Sequence, residues 1–219
     1  MRFYRMTAAL GAGLWMMLGG AAMAADDLSS LSDEFNDEKT LGTWRRVYQD
    51  EQWPANQLER FDINKAVQGC LLMMPYTSTW YRDYRGELTY KPVEGDFVVT
   101  TRLRVTGRDG QSAPRRQFSL GGIMIRAPRN ITPQTWRPGG ENYIFLSLGA
   151  ADPPGRYQWE TKTTVNSDSQ LRLADANTSE GIIQAARIGP HFILLRQAPN
   201  EPWTVHQRYY RPDLPDRLQ

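Results

Sequence analysis

The chain has 219 residues, with 26 Lys and Arg against 24 Asp and Glu, 2 His and 1 Cys. That balance leaves no basic field for a nucleic acid, two histidines exclude a His-rich metal site, and a lone cysteine excludes an internal disulfide. The length suits one domain with a full core.

The first segment, "MRFYRMTAALGAGLWMMLGGAAMAADD", begins with Arg2 and Arg5, runs through an apolar stretch and reaches Ala22-Met23-Ala24. A basic start, an apolar centre and small residues before a cut describe a secretory signal peptide over residues 1–24, with cleavage after Ala24. Export to the periplasm or the outside follows, with no membrane contact after cleavage. Residues 25–219 then form a single domain whose Lys and Arg equal its Asp and Glu.

The acidic cluster Asp33 to Glu38 reads as a capped turn. Calcium is its alternative, since hard oxygen ligands suit that ion, but EF-hand spacing is lacking, so no cofactor is expected. Trp44 and Trp203 open apolar segments and belong to the core. "QLERFDIN" and "GCLLMMPY" form a strand pair with a turn near Ala66 to Gly69. Cys70 lies in that second apolar run and reads as a small core residue.

Beyond Pro75 the alternation becomes regular. "DFVVTTRLRV" sets Phe97, Val99, Thr101, Leu103 and Val105 on one face, the period of a half-buried strand. "GGIMIRA", "NYIFLSLG", "RYQWETKTTV", "GIIQAARIG", "HFILLRQA" and "WTVHQRYY" follow. Ile188-Gly-Pro-His191 is a tight hairpin signal. Residues 127–140 form a long loop between two good strands, and such loops often carry binding. Many short strands between Gly/Pro turns, with no useful amphipathic helix, predict an all-β antiparallel sandwich or barrel.

The order of "SLSDEFND", "LGTW", "EGDFVVTTRLRV", "GGIMIRAP", "NYIFLSLG", "WETKTTVNSDS" and "AARIGPHFILLRQ" resembles the concanavalin A-like lectin/glucanase superfamily. It is most similar to secreted bacterial jelly-roll domains and to the accessory C-terminal domain of some β-xylosidases. The resemblance implies two antiparallel sheets, a face where many relatives bind glycans, and a further apolar strand after Gln219.

Glycan-cleaving relatives carry Glu-x-Asp-x-x-Glu on one strand, because alternate residues share a face. Here Glu160 is followed by Lys162 and Thr163 where the other two carboxylates belong, and the next acid, Asp168, falls past the strand's end, so that catalytic strand is absent. Gln158, Glu160, Lys162 and Thr164 share one face of their strand, and Trp159 lies on the other. The plainer reading puts Trp159 in the core and leaves Glu160 and Lys162 as a solvated charge pair. The other makes the polar face a sugar site, where directional polar groups stand beside aromatic rings. Candidate ligand-binding residues are Trp80, Arg126, Trp136, Tyr143, Glu160 and Lys162. Trp136 is the expected exposed ring, since no periodic strand claims it. Arg126 shares a face with Tyr143 and is a candidate partner for Glu160; Arg187 is a candidate for the same face. Asn130 and Asn177 head N-glycosylation tripeptides.

The expected function is a secreted, non-catalytic carbohydrate-binding domain. A hydrolase or lyase with carboxylates on different strands is the alternative, and an envelope interaction domain the third reading.

Overall fold

The computed structural model describes residues 1–4 and 28–219. Among these, the strands are β1 (Arg2–Tyr4), β2 (Arg45–Arg46), β3 (Leu58–Ile63), β4 (Leu71–Pro75), β5 (Thr89–Tyr90), β6 (Val93–Glu94), β7 (Phe97–Arg104), β8 (Ser119–Arg126), β9 (Tyr143–Ala150), β10 (Gln158–Val165), β11 (Asp168–Asp175), β12 (Glu180–Ile188), β13 (His191–Gln197), β14 (Thr204–Tyr210) and β15 (Arg217–Leu218). One helical turn, α1 (Val47–Asp50), and two 3-10 turns, Ser29–Leu31 and Glu38–Thr43, accompany them. The chain is all-β and its pairings are antiparallel.

Two sheets dominate: a five-stranded one in the order β1-β7-β12-β13-β14 and a four-stranded one in the order β11-β10-β9-β8. One core cluster draws on both. Phe97, Val99, Ile183, Ala185, Phe192 and Leu194 come from the first, and Ile123, Ile125, Ile144, Leu146, Leu148 and Trp159 from the second. These are the apolar phases expected from the alternation, and each buried Val, Leu, Ile or Phe contributes about 1.5–3 kcal/mol. Trp159 passes so close to β12 that a Cβ at Gly181 would stand 2.9 Å from its ring. Only glycine fits there.

The hairpin at Ile188–His191 forms as expected, with Ile188 opposite His191. The hairpin from β10 into β11 was not expected. Its turn residues, Asn166 and Ser167, have φ of 47° and 67°, the left-handed pair of a two-residue turn that keeps the strand twist. Asp168, expected beyond the strand's end, instead opens β11 opposite Val165.

Antiparallel sheets often keep one face in water. The inner strands of this four-stranded sheet do not, since all eight residues of β9 and most of β10 are buried, while the edge strand β11 stays largely exposed. The outer face of the inner strands is covered by the chain itself. Val47, Leu88 and Tyr90 form a second small core there, against Trp80 and Met124.

Three placements differ from the sequence reading. Cys70 is exposed, because it ends the β3–β4 turn and that ribbon stands apart from the main core. Trp203 is 42% exposed, since the loop before β14 runs outside the sheet edge. Arg187 belongs to the other sheet, where it donates to the main-chain oxygens of Gly189 and Asp216. Trp44 is in place: it is buried and its indole N–H donates to Asp33 at 2.9 Å. The Asp33 carboxylate also accepts from Phe35 N, so this acidic cluster is a hydrogen-bonded turn.

The expected signal peptide falls mostly outside the described residues. Its described part, Arg2–Tyr4, pairs with β7, and Phe3 lies in the core.

Candidate functional site

The outer face of the four-stranded sheet gathers the charged residues. Register places Arg126 opposite Tyr143, and Tyr143 opposite Thr164. Two residues along, Met124, Phe145 and Lys162 align, and Ser147 faces Glu160. Alternation alone therefore puts Arg126, Tyr143, Glu160 and Lys162 on one surface.

At one end of this face, Arg126 is fully buried. Its Nε donates to Glu141 Oε2 at 2.9 Å, and its Nη2 to Glu51 Oε1 at 2.7 Å. Arg129 adds a 2.7 Å bond to Glu141. Arg85 donates to the other oxygen of Glu51 at 2.8 Å, and its guanidinium stands 3.5 Å from the Trp53 ring centre. Three guanidiniums thus share two carboxylates. Burial alone would drive Glu141 up, but Arg126 and Arg129 outweigh it and hold the carboxyl below its ordinary range. Burial likewise works against the Arg126 charge, yet Glu141 and Glu51 keep its pKa above normal.

The other end is different. Glu160 is fully buried, and neither of its carboxylate oxygens has a hydrogen-bond partner among the described residues. Lys162 Nζ stands 3.0 Å from Oε1 as an ion pair, outside hydrogen-bond alignment. The ammonium's aligned bond goes instead to the main-chain oxygen of Trp80, at 2.8 Å. It also lies 4.7 Å from the Phe145 ring centre and 5.5 Å from that of Tyr81. Burial pushes the Glu160 carboxyl above its usual pKa, and Lys162 only partly opposes this. The Tyr143 hydroxyl and the Gln158 side-chain oxygen are also buried without a hydrogen-bond partner.

The six candidates chosen from sequence join one connected cluster. Trp80 meets Tyr143 edge-on at 5.5 Å, and Arg126 stands 5.4 Å from the Trp80 ring centre. Trp136 reaches the cluster through Arg85, 5.8 Å away. Three expectations need correcting. Glu160 and Lys162 are buried rather than solvated, and Trp80 and Tyr81 lie against Lys162. Arg126 pairs with Glu141 and Glu51 rather than Glu160, whose register position is four residues away along β10. Trp136 is half-buried, with an enclosed and unpartnered indole N–H, because the long loop folds inward over Arg85.

Glu51, Arg85, Arg129 and Glu141 were missed. Glu141 had a usable signal, since it continues the phase of Tyr143 and Phe145. Glu51 and Arg85 had none, as each arrives from a covering segment.

Register also bears on hydrolysis. Glu160 faces Ser147, and Glu141 lies six residues earlier in that chain, or about 20 Å at roughly 3.3 Å per residue. Paired glycosidase carboxyls stand about 5–9.5 Å apart. These two do not form such a pair.

No group of three or more His, Cys, Asp or Glu suited to a metal ion occurs among the described residues. No family model and no curated protein matches the sequence. Among solved structures, the chain is similar to a functionally unknown protein from Saccharomyces cerevisiae, at TM-score 0.47 and 11% identity over 65% of this chain and 69% of that one.

Proposed function

We propose that this protein is a secreted, non-catalytic carbohydrate-binding domain of the concanavalin A-like jelly-roll kind, with its ligand face on the outer side of the four-stranded sheet. The observation that carries the reading is Glu160, a buried carboxylate with no hydrogen-bond donor aligned to either oxygen. Its one partner is the Lys162 ammonium, 3.0 Å from Oε1, which leaves Oε2 with no donor, and an unmet buried acceptor costs about 1–3 kcal/mol. A polyhydroxylated ligand brings the donors that Glu160 lacks, while Lys162 and the rings of Trp80, Tyr81 and Phe145 supply a cation and apolar faces. Entry requires the Trp80–Tyr84 segment to lift. Lys162 holds it at Trp80, Ser169 accepts from Arg82 N at 2.9 Å, and the Ser167 hydroxyl donates to Asp83 at 2.6 Å.

Export through residues 1–24 is part of the same proposal, and N-terminal sequencing of the protein recovered outside the cytoplasm tests it. A start at Ala25 or Asp26 supports export, and recovered protein beginning at Met1 overturns it.

The functional test is a panel of plant and microbial polysaccharides, scored for retention of the protein and for new reducing ends. Retention without release, weakened at least tenfold by Trp80→Ala and by Glu160→Gln, is the expected result. Release of reducing ends overturns the non-catalytic reading. Absence of both signals moves an envelope interaction domain to the front.

A further inference from the structure

A cleft lies at the end of the sandwich where β10, β11 and β13 approach one another. It measures about 320 Å³, and Trp159, Asp175, Asn177, Thr178, Arg196 and Glu201 are among its lining residues. That volume lies within the range of small-ligand sites.

Arg196 is the notable group in it. Its guanidinium stands 5.3 Å from the Trp159 ring centre, and its Nε donates to His206 Nδ1 at 3.0 Å. His206 can accept that bond only when neutral. Burial, and then the Arg196 charge, bring its pKa down to about 4, so the acceptor persists at neutral pH. One edge of the guanidinium is thus fixed by a ring and a histidine. The terminal Nη1 and Nη2 make no hydrogen bond or ion pair with any described residue. A planar fork held on one side and free on the other matches a carboxylate bidentately.

The walls fit the same class. The Asn177 amide has no side-chain partner among the described residues, and the floor is the buried Trp159. The loop 198–201 is braced by Gln197, whose amide donates to Glu201 O at 3.0 Å. Asp175 and Glu201 add negative charge at the rim. The Asp175 carboxylate is 71% exposed, 3.6 Å from Arg156, and Glu201 is also exposed. Water and salt screen charges so placed within about 8–10 Å.

We propose that this cleft is a second ligand site, taking a small carboxylate-bearing molecule anchored on Arg196. A sugar acid and a simple organic acid share that chemistry.

The test is a titration of the full chain, followed by amide NMR shifts, with glucuronate, glucose and acetate as separate arms. Saturable shifts centred on Asn177, Thr178 and Arg196 with glucuronate, and none with glucose, are expected. Arg196→Gln weakens the binding at least tenfold while the thermal midpoint stays near the parent's. Acetate binding as tightly as glucuronate assigns the site to simple acids and keeps the Arg196 anchor. Equal shifts with glucose, shifts elsewhere, or affinity unchanged in Arg196→Gln overturn the proposal. Should that variant fail to fold, the shift map of the parent chain decides by itself.

Discussion

Glu141 and Glu160 are both fully buried on one face of one sheet, yet their carboxyls move in opposite directions. Glu141 accepts from two guanidiniums and is held low. Glu160 has one misaligned ammonium and is pushed high. Burial is the same, so the number and alignment of donors decide the outcome. The Arg126 end is a fully partnered network, and the Glu160 end is not.

The largest effect expected from breaking this contrast is at Arg126. Arg126→Ala leaves Glu141 and Glu51 without their shared partner, and a loss of about 3–5 kcal/mol is expected, read by urea unfolding. Glu141→Gln tests the same end from the other side. It strips Arg126 and Arg129 of charge neutralisation, with a loss in the same range of about 3–5 kcal/mol. Glu160→Gln gives the opposite outcome. It removes a charge that burial disfavours, and although Lys162 loses its counter-ion, that ammonium keeps the Trp80 carbonyl and the Phe145 and Tyr81 rings, so stability at pH 7 stays within about 1 kcal/mol of the parent or rises. Weaker polysaccharide retention with equal or better stability is the signature of a functional group kept at a stability cost. A loss at Glu160 as large as that at Glu141 would falsify the contrast.

The same pair sets opposite pH slopes. The folded state holds Glu141 below its unfolded pKa, so its stabilisation is present above that unfolded value and fades as pH falls through the folded one. For Glu160 the folded state binds the proton more tightly. Its contribution is full below the unfolded pKa and is lost as pH rises through the raised folded pKa. In Glu160→Gln, the stability gain over the parent therefore grows with pH above about 4.5. Thermal melts between pH 4 and pH 8 check this, and a gain that shrinks with rising pH contradicts the assignment.

The smallest effect belongs to the β3–β4 ribbon. Cys70 is exposed, so its thiol reacts with a disulfide reagent in the folded protein without unfolding. Cys70→Ser changes stability by no more than about 0.5 kcal/mol. A protected thiol would place Cys70 in a core after all.

Much of the sandwich was legible locally. Ile144, Leu146 and Leu148, like Phe97 and Val99, announce their buried face through period two, because successive side chains point to opposite sides of a strand. The Gly189-Pro190 turn likewise carries its own backbone signal. The β10–β11 hairpin was missed because Asn166-Ser167 is a weaker turn signal than Asn-Gly, and "SQLRLAD" has polar residues on its open side. Cys70 was misplaced because apolar content does not distinguish a core strand from a ribbon at the edge.

Sequence by itself determined the all-β class, the core face of each main strand and the grouping of Arg126, Tyr143, Glu160 and Lys162 on one surface. All of these follow from alternation within a few residues. Only the tertiary structure decided whether that surface is wet. Trp80 arrives over Lys162 from 82 residues away, and Glu51 reaches Arg126 across 75. The dielectric around a carboxylate, and therefore its charge and its use, depends on what lies above it, and no local repeat encodes that.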